Sequence, residues 1–221
     1  EELVYLIQHL ENAKEETVLG NCYHTGTIGS VELVLVESGI GKVMSAMSVA
    51  ILADHFNVDA VINTGSAGAL AEGIEVGDVV IAEKLAYHDV DVTAFGYEYG
   101  QMAQQPLYFE TDKKFVSLIQ ESLSKLDQNW HLGLIVTGDS FVAGEDKIAT
   151  IKEHFPRVLA VEMEGAAIAQ AAHALNLPFL VVRAMSDNAN HEASISFDEF
   201  IVEAGRRSAQ ALLTLLKSIH D

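Results

Sequence analysis

The amino-acid sequence predicts an α/β fold, a single domain of three α/β/α layers around a mixed, mostly parallel central sheet. Three observations predict it. Short β-branched runs recur along the chain, and helical patterns lie between several of them. The 221 residues, 49% of them hydrophobic, suffice for one sizeable core, with no shift in composition to divide it. Residues 1–221 are therefore read as one domain.

Each element has its own pattern. Leu3 to Glu16 reads as a first helix. The run VELVLVE (31–37) reads as a strand, followed by a helix from Val43 to Phe56. DAVINTG (59–65) and DVVIAEK (78–84) are strands, and Lys113 to Leu126 a helix. GLIVTGD (133–139) and RVLAVEM (157–163) are strands, Gly165 to Asn176 a helix, and PFLVVRAMSD (178–187) the last strand. The final helix is the clearest. Ser196 to Glu199 has the spacing of a capping box, and Phe197, Phe200, Ile201, Ala204, Ala211, Leu212, Leu215, Leu216 and Ile219 make one apolar stripe. Repeats of strand and helix in this order imply parallel pairing with helices on both faces.

Charge and cysteine content exclude whole classes of function. Thirteen basic against 32 acidic residues give a net charge of -19, which disfavours phosphate backbones and anionic lipid surfaces, so neither nucleic acid nor membrane is an expected partner. The single cysteine, Cys22, rules out an internal disulfide and suits a reducing cytoplasm. No apolar run reaches the roughly 20 residues of a membrane helix. The chain opens at Glu1 without a methionine, and trimming of a preceding segment is expected.

In open α/β sheets ligands gather at the carboxyl ends of strands. Three polar turns fall there: SGIGK (38–42) with Ile40, TGSAGAL (64–70) with Ser66 and Gly68, and Ser186-Asp187. Glycines in such turns allow close ligand approach, although Gly39-Ile-Gly41 alone equally suits a plain strand-to-helix turn. Within VLAVEMEGAAIA (158–169), Glu162 and Glu164 sit in otherwise small or apolar surroundings, where an ionised carboxylate needs a partner. Either can accept two hydrogen bonds from the vicinal diol of a ribose, or can simply favour the helix N-terminus that follows. Asp187 fits an N-cap or turn role, or that of a general acid. His88-Asp89 with Asp91 is too unspecific a pattern to carry a metal, and none is expected.

Four motifs in this order and spacing, TGSAGAL, GDSFVAG (138–144), VEMEGAAIA and VVRAMSD, resemble the 5′-methylthioadenosine/S-adenosylhomocysteine nucleosidases of the nucleoside phosphorylase superfamily, over nearly the whole chain. The resemblance implies a nucleoside phosphorylase-like fold with an extra strand before Glu1. It implies hydrolysis of the N-ribosidic bond of methylthioadenosine and adenosylhomocysteine, also of 5′-deoxyadenosine, to adenine and the thioribose in methionine salvage, without a cofactor. It also implies roles. Glu2 is the base that activates water, and Asp187, oriented by Ser186, is the acid at the adenine. Glu164 binds the ribose hydroxyls with Met163 against the sugar, Ser66 and Arg183 surround the water, Phe141 stacks on the base, and the Val142 backbone reads its edge. Ile40, Phe197 and the segment 90–100 form a greasy 5′ pocket, with Phe95 and Tyr97 reaching in from the second subunit of a homodimer.

The choice of nucleophile can be argued from the residues themselves. Arginine's planar fork suits phosphate, yet the only arginines are Arg157, Arg183, Arg206 and Arg207. Where the superfamily's phosphorylases place an arginine before the G-S turn, this chain has Asn63-Thr64, so water is the expected nucleophile. Lys42 leaves room for a weaker anion site. A phosphorylase of the same fold and a non-catalytic nucleoside-binding protein are the two rivals.

Overall fold

The computed structural model describes residues 2–126, 128–189 and 193–219, the side chains of 193–197 and 199 excepted. Helix α1 spans Glu2–Ile7, and strands β1 (Glu11–Val18), β2 (Asn21–Ile28) and β3 (Val31–Val36) follow. Then come α2 (Lys42–Asp54), β4 (Val61–Ala69), β5 (Val79–Tyr87), the short β6 (Phe109–Glu110), α3 (Lys113–Ser124), β7 (Trp130–Thr137) and α4 (Glu145–His154). The chain ends with β8 (Val158–Glu162), α5 (Gly165–Ala174), β9 (Phe179–Asp187) and α6 (Ala193–Ser218).

The main sheet runs β6-β5-β7-β8-β4-β9, and β5 also pairs with β9, so five strands close into a ring. Its long ladders are parallel: β4 on β9 from Val61↔Phe179 to Gly68↔Asp187, and β5 on β7 from Val79↔Trp130 to Tyr87↔Thr137. Antiparallel pairing is confined to the short ladders β4–β8, β5–β6 and β5–β9. Closure distinguishes this sheet from an open α/β layer. Register shifts in β4–β9 and β5–β7 supply the local bending that closure needs.

The continuous apolar run of β9 is explained by burial on both faces. Phe179, Val181 and Met185 pack with Val49 of α2 and Ala166, Ala169 and Ala172 of α5, whereas Leu180, Val182 and Ala184 face Leu6 of α1, Ile119 of α3 and Leu212 and Leu215 of α6. The alternation places Arg183, at an odd position, inside the face otherwise lined by Val181 and Met185.

Two expectations are corrected. The helix read from Leu3 to Glu16 stops at Ile7, and Glu11 onward is a strand. The polar segment ENAKEETV has no apolar stripe to hold a helix on the core. It is recruited instead by the β1–β2 hairpin, whose two turn residues, Leu19 and Gly20, both have positive φ (50° and 87°). Helix α6 begins at Ala193, one turn before the residues expected to cap it. Of its stripe, Ala204, Ala211, Leu212, Leu215 and Leu216 are buried, while Phe200 and Ile219 are exposed at the two ends. No described helix is long and apolar enough to cross a membrane.

Candidate active site

The carboxyl ends of β4, β7, β8 and β9 meet at one edge of the ring. Gly68 of β4 pairs with Asp187 of β9 and with Val161 of β8, and Thr137 of β7 pairs with Glu162 of β8. Two adjoining cavities open there. One, of about 390 Å³, is lined by Glu2, Glu37, Ile40, Ser66, Glu164 and Arg183 among others. The other, of about 350 Å³, is lined by Ile40, Ser66, Gly68, Phe141, Val142, Met163, Glu164, Ser186 and Asp187 among others. Ile40, Ser66 and Glu164 belong to both.

Glu2, on the first turn of α1, is held above the ordinary carboxylate range by burial, opposed by Arg183 and assisted by the charges of Glu164 and Glu37. Its space is made by Gly205 of α6, where a Cβ would fall 3.0 Å from Glu2 Cγ. Asp187 is almost fully buried, and burial raises its pKa despite two hydrogen bonds that stabilise its charge. The Ala189 amide donates to Oδ1 at 2.7 Å, and the Ser186 hydroxyl donates to Oδ2 at 3.0 Å. Of the two roles read from the sequence, the turn role is the one these bonds display, and the carboxyl also lines an apolar cavity. Gly68 leaves the room for it, since a Cβ there would lie 2.9 Å from Asp187 Oδ1.

Glu164 is also raised by burial and by Glu162, with Arg183 opposing. The Gly41 amide donates to its Oε1 at 2.9 Å, and an Arg183 terminal nitrogen lies 3.9 Å from Oε2. Glu162 has a different role from its neighbour. It is buried, pairs with Arg183, and accepts the Gly165 amide at 2.7 Å and the Glu164 amide at 3.1 Å. Of the two readings of Glu162, the helix N-terminus is the one the geometry fits. Burial opposes the Arg183 charge, but Glu162 and Glu164 overcome it and hold the guanidinium above its ordinary value. Asn63 Oδ1 accepts from the same guanidinium at 2.5 Å.

Lys42 is not a free anion receptor. Its ammonium donates to both oxygens of Asp89, at 2.9 and 3.0 Å, and lies 3.7 Å from Asp139. The Lys42 amide at the start of α2 donates to Asp139 Oδ1 at 2.8 Å. The turn that would cradle a phosphate is thus filled by the chain's own carboxylates, Asp139 and Glu164. Asp89 is accordingly committed to Lys42, and no group of metal-ligating side chains is found among the described residues.

The remaining expected residues divide. Ile40 is 78% exposed and Phe141 43% exposed, both at the rim of the second cavity, with Val142 and Met163 inside it. Phe95, 81% exposed, and Tyr97 line neither cavity of their own chain. The Phe197 side chain lies outside the described residues. Sequence reasoning missed Thr137 and the pairing of Asn63 with Arg183. Nothing in their spacing marks them, because their partners lie on other strands.

A family model described as phosphorylase superfamily matches residues 1–217. The 5′-methylthioadenosine/S-adenosylhomocysteine nucleosidase of Listeria monocytogenes is 48% identical over 99% of this chain and 96% of its own. The solved structure of the nucleosidase of that name from S. pneumoniae, with the transition-state inhibitor MT-ImmA, is 82% identical, covering 99% of this chain and 95% of its own at a TM-score of 0.96. That from Neisseria meningitidis, in complex with methylthio-immucillin-A, is 44% identical over 99% of this chain and 95% of its own, with a TM-score of 0.97. The chain belongs to the phosphorylase superfamily and, within it, to the 5′-methylthioadenosine/S-adenosylhomocysteine nucleosidases.

Proposed function

We propose that the protein hydrolyses the N-ribosidic bond of 5′-methylthioadenosine and S-adenosylhomocysteine, and also that of 5′-deoxyadenosine. The observation that carries this is the pair of adjoining cavities, with Glu2 at one end, Asp187 at the other and Glu164 where they meet. A nucleoside laid across them has its base against Phe141, Val142 and Asp187, its ribose on Glu164 and Met163, and the anomeric carbon between the two acids.

Cleavage passes through an oxocarbenium-like sugar and needs a better leaving group and a placed nucleophile. Asp187, whose protonated form burial favours, gives its proton to the purine as the bond to the sugar breaks. Ser186 fixes its orientation. Glu2, in the ionised form that the nearby Arg183 charge favours, takes a proton from a water near Ser66 and Arg183, whose oxygen bonds to the anomeric carbon. The negative charge of Glu164 and Glu2 near the sugar favours its developing positive charge. The 5′ thioalkyl group lies against Ile40 and, from the second subunit of a homodimer, Phe95 and Tyr97. The enzyme works in the cytoplasm, in methionine salvage.

Occupation of the Gly41–Lys42 amides by Glu164 and Asp139 supports water over phosphate as nucleophile. The test is adenine release from methylthioadenosine with and without added phosphate. Equal rates with free thioribose as product are expected. Phosphate-dependent turnover to a sugar 1-phosphate, or tight nucleoside binding without turnover, would overturn the assignment.

A further inference from the structure

Helix α5 is capped by residues other than its own N-cap. Glu164 occupies the N-cap position, yet its side chain makes no capping bond. The first amides of the helix are taken by two buried groups behind it. Glu162 Oε2 accepts from Gly165 and from the Glu164 amide itself, and Thr137 Oγ1 accepts from Ala166 at 2.8 Å. Thr137 also donates to Glu162 Oε1, so one hydroxyl ties the end of β7, the end of β8 and the start of α5 together. Thr137 is fully buried and lines neither cavity.

An N-cap carboxylate ordinarily folds back onto its own helix amides, because those orphan donors must be satisfied. Here the donors are already satisfied, which leaves the Glu164 carboxylate to Gly41 and the cavities. The same Glu162 oxygen that holds the Glu164 amide binds Arg183, so the two sides of the ribose position are referenced to one atom. The close fit is enforced by Gly165, where a Cβ would lie 3.1 Å from Glu162 Oε1 and 2.6 Å from Leu85 Cδ2.

We infer that Thr137 is a positioning residue for nucleoside cleavage, acting through Glu162 to keep the Glu164 carboxylate off its own helix and aimed at the ribose. The inference rests on the assignment of Glu164 to the ribose. Thr137→Val keeps the shape and removes the hydroxyl, while Thr137→Ser keeps the hydroxyl.

The experiment is a double-mutant cycle on kcat/KM for adenine release, using wild type, Thr137→Val, Glu164→Gln and the double variant, with Thr137→Ser alongside and thermal unfolding of each. Misplacing a binding group by about 1 Å lowers turnover by up to about 100-fold. Thr137→Val is expected to lose about 10- to 100-fold, Thr137→Ser to retain nearly all activity, and the Thr137→Val penalty to vanish in the Glu164→Gln background. If the penalties instead multiply, or Thr137→Ser fails as badly as Thr137→Val, Thr137 is a packing residue and the inference falls. If Glu164→Gln alone is fully active, the ribose assignment itself is wrong, which is a separate outcome. Should Thr137→Val not fold, the same cycle with Thr137→Ser and Thr137→Ala decides it: loss in Ala but not Ser, abolished by Glu164→Gln, supports the inference, and equal loss in both overturns it.

Discussion

Gly41 and Glu164, 123 residues apart in sequence, are joined by a 2.9 Å hydrogen bond from the glycine amide to the carboxylate. The bond requires the backbone of Gly41 to sit at φ 87°, as the residue before α2. A Cβ there would also lie 2.9 Å from Asp139 Oδ1. Gly41→Ala is therefore expected to destabilise the protein by about 1–3 kcal/mol and to weaken substrate binding, because the turn must shift away from Glu164. Thermal unfolding and KM for methylthioadenosine measure the two effects. An unchanged KM would mean that Glu164 holds its place without this turn.

Asp187→Asn separates catalysis from stability. The carboxyl is raised by burial, so its sign follows linkage: the folded state favours the protonated form, and stability is lost as pH rises through the raised pKa. Replacing it with a neutral isostere removes that loss at pH 7 and above and changes little in acid. The variant is expected to melt at or above the wild-type temperature at pH 7.5, and to lose about 100- to 10,000-fold in kcat. For the wild type, activity falls as pH rises through the pKa of Asp187 and falls again in acid as Glu2 protonates. Glu2 is raised by burial too, so its limb lies above the range of an exposed glutamate. An Asp187→Asn variant with normal kcat would remove the acid from the mechanism.

Arg183 supplies a test of architecture. Its guanidinium is buried with Glu162, and Gly65 leaves space for it, a Cβ there falling 2.6 Å from one terminal nitrogen. Removing one partner of a buried ion pair leaves the other charge stranded. Arg183→Met should lower stability by about 3–5 kcal/mol, measured by urea unfolding. The double change Arg183→Met, Glu162→Gln is expected to recover part of that loss, since the Glu162 charge is no longer stranded, although Glu164 and Glu2 still lose the Arg183 charge. Equal stability of the single variant and wild type would show that Glu162 takes up a proton or water instead.

How much of this was legible beforehand depends on whether the signal is local. Strands β3, β4, β5, β7, β8 and β9 announce themselves by β-branched runs that are buried on at least one face. The β1–β2 hairpin does not, because ENAKEETV has helical composition and becomes a strand only when β2 pairs with it. Helix α4, Glu145–His154, buries only Ile151 and carries too weak a stripe to be read. Closure of the sheet through β5–β9 is a tertiary property with no local signature. In the site, apolar surroundings and motif mark Glu164 and Asp187 as candidates, and both line the second cavity. The division of labour between Glu162 and Glu164 was not legible, since two residues of separation look alike until β7 and β9 bring Thr137 and Arg183 to one of them.

The final prediction concerns what covers the exposed apolar side of the site. Val43 (68% exposed), Met44 and Met47 share one face of α2, next to Ile40. The Lys42–Asp89 ion pair brings that helix start alongside the chain leading to Phe95, which is 81% exposed. Large exposed apolar groups around a cavity mouth are typical of protein interfaces, and the proposed homodimer is expected to use this face. Val43→Asp with Met47→Asp should therefore give a folded monomer in sedimentation velocity, with much lower activity because Phe95 and Tyr97 no longer reach a neighbouring site. Complementation makes the test sharper. A Phe95→Ala chain lacks the residue that it lends, and a Glu2→Gln chain lacks its own base. A mixed dimer has one site in which an intact Glu2 meets an intact Phe95. Co-refolding the two weak variants should restore turnover that neither has alone, and failure to restore it would place Phe95 in its own chain's function or in none.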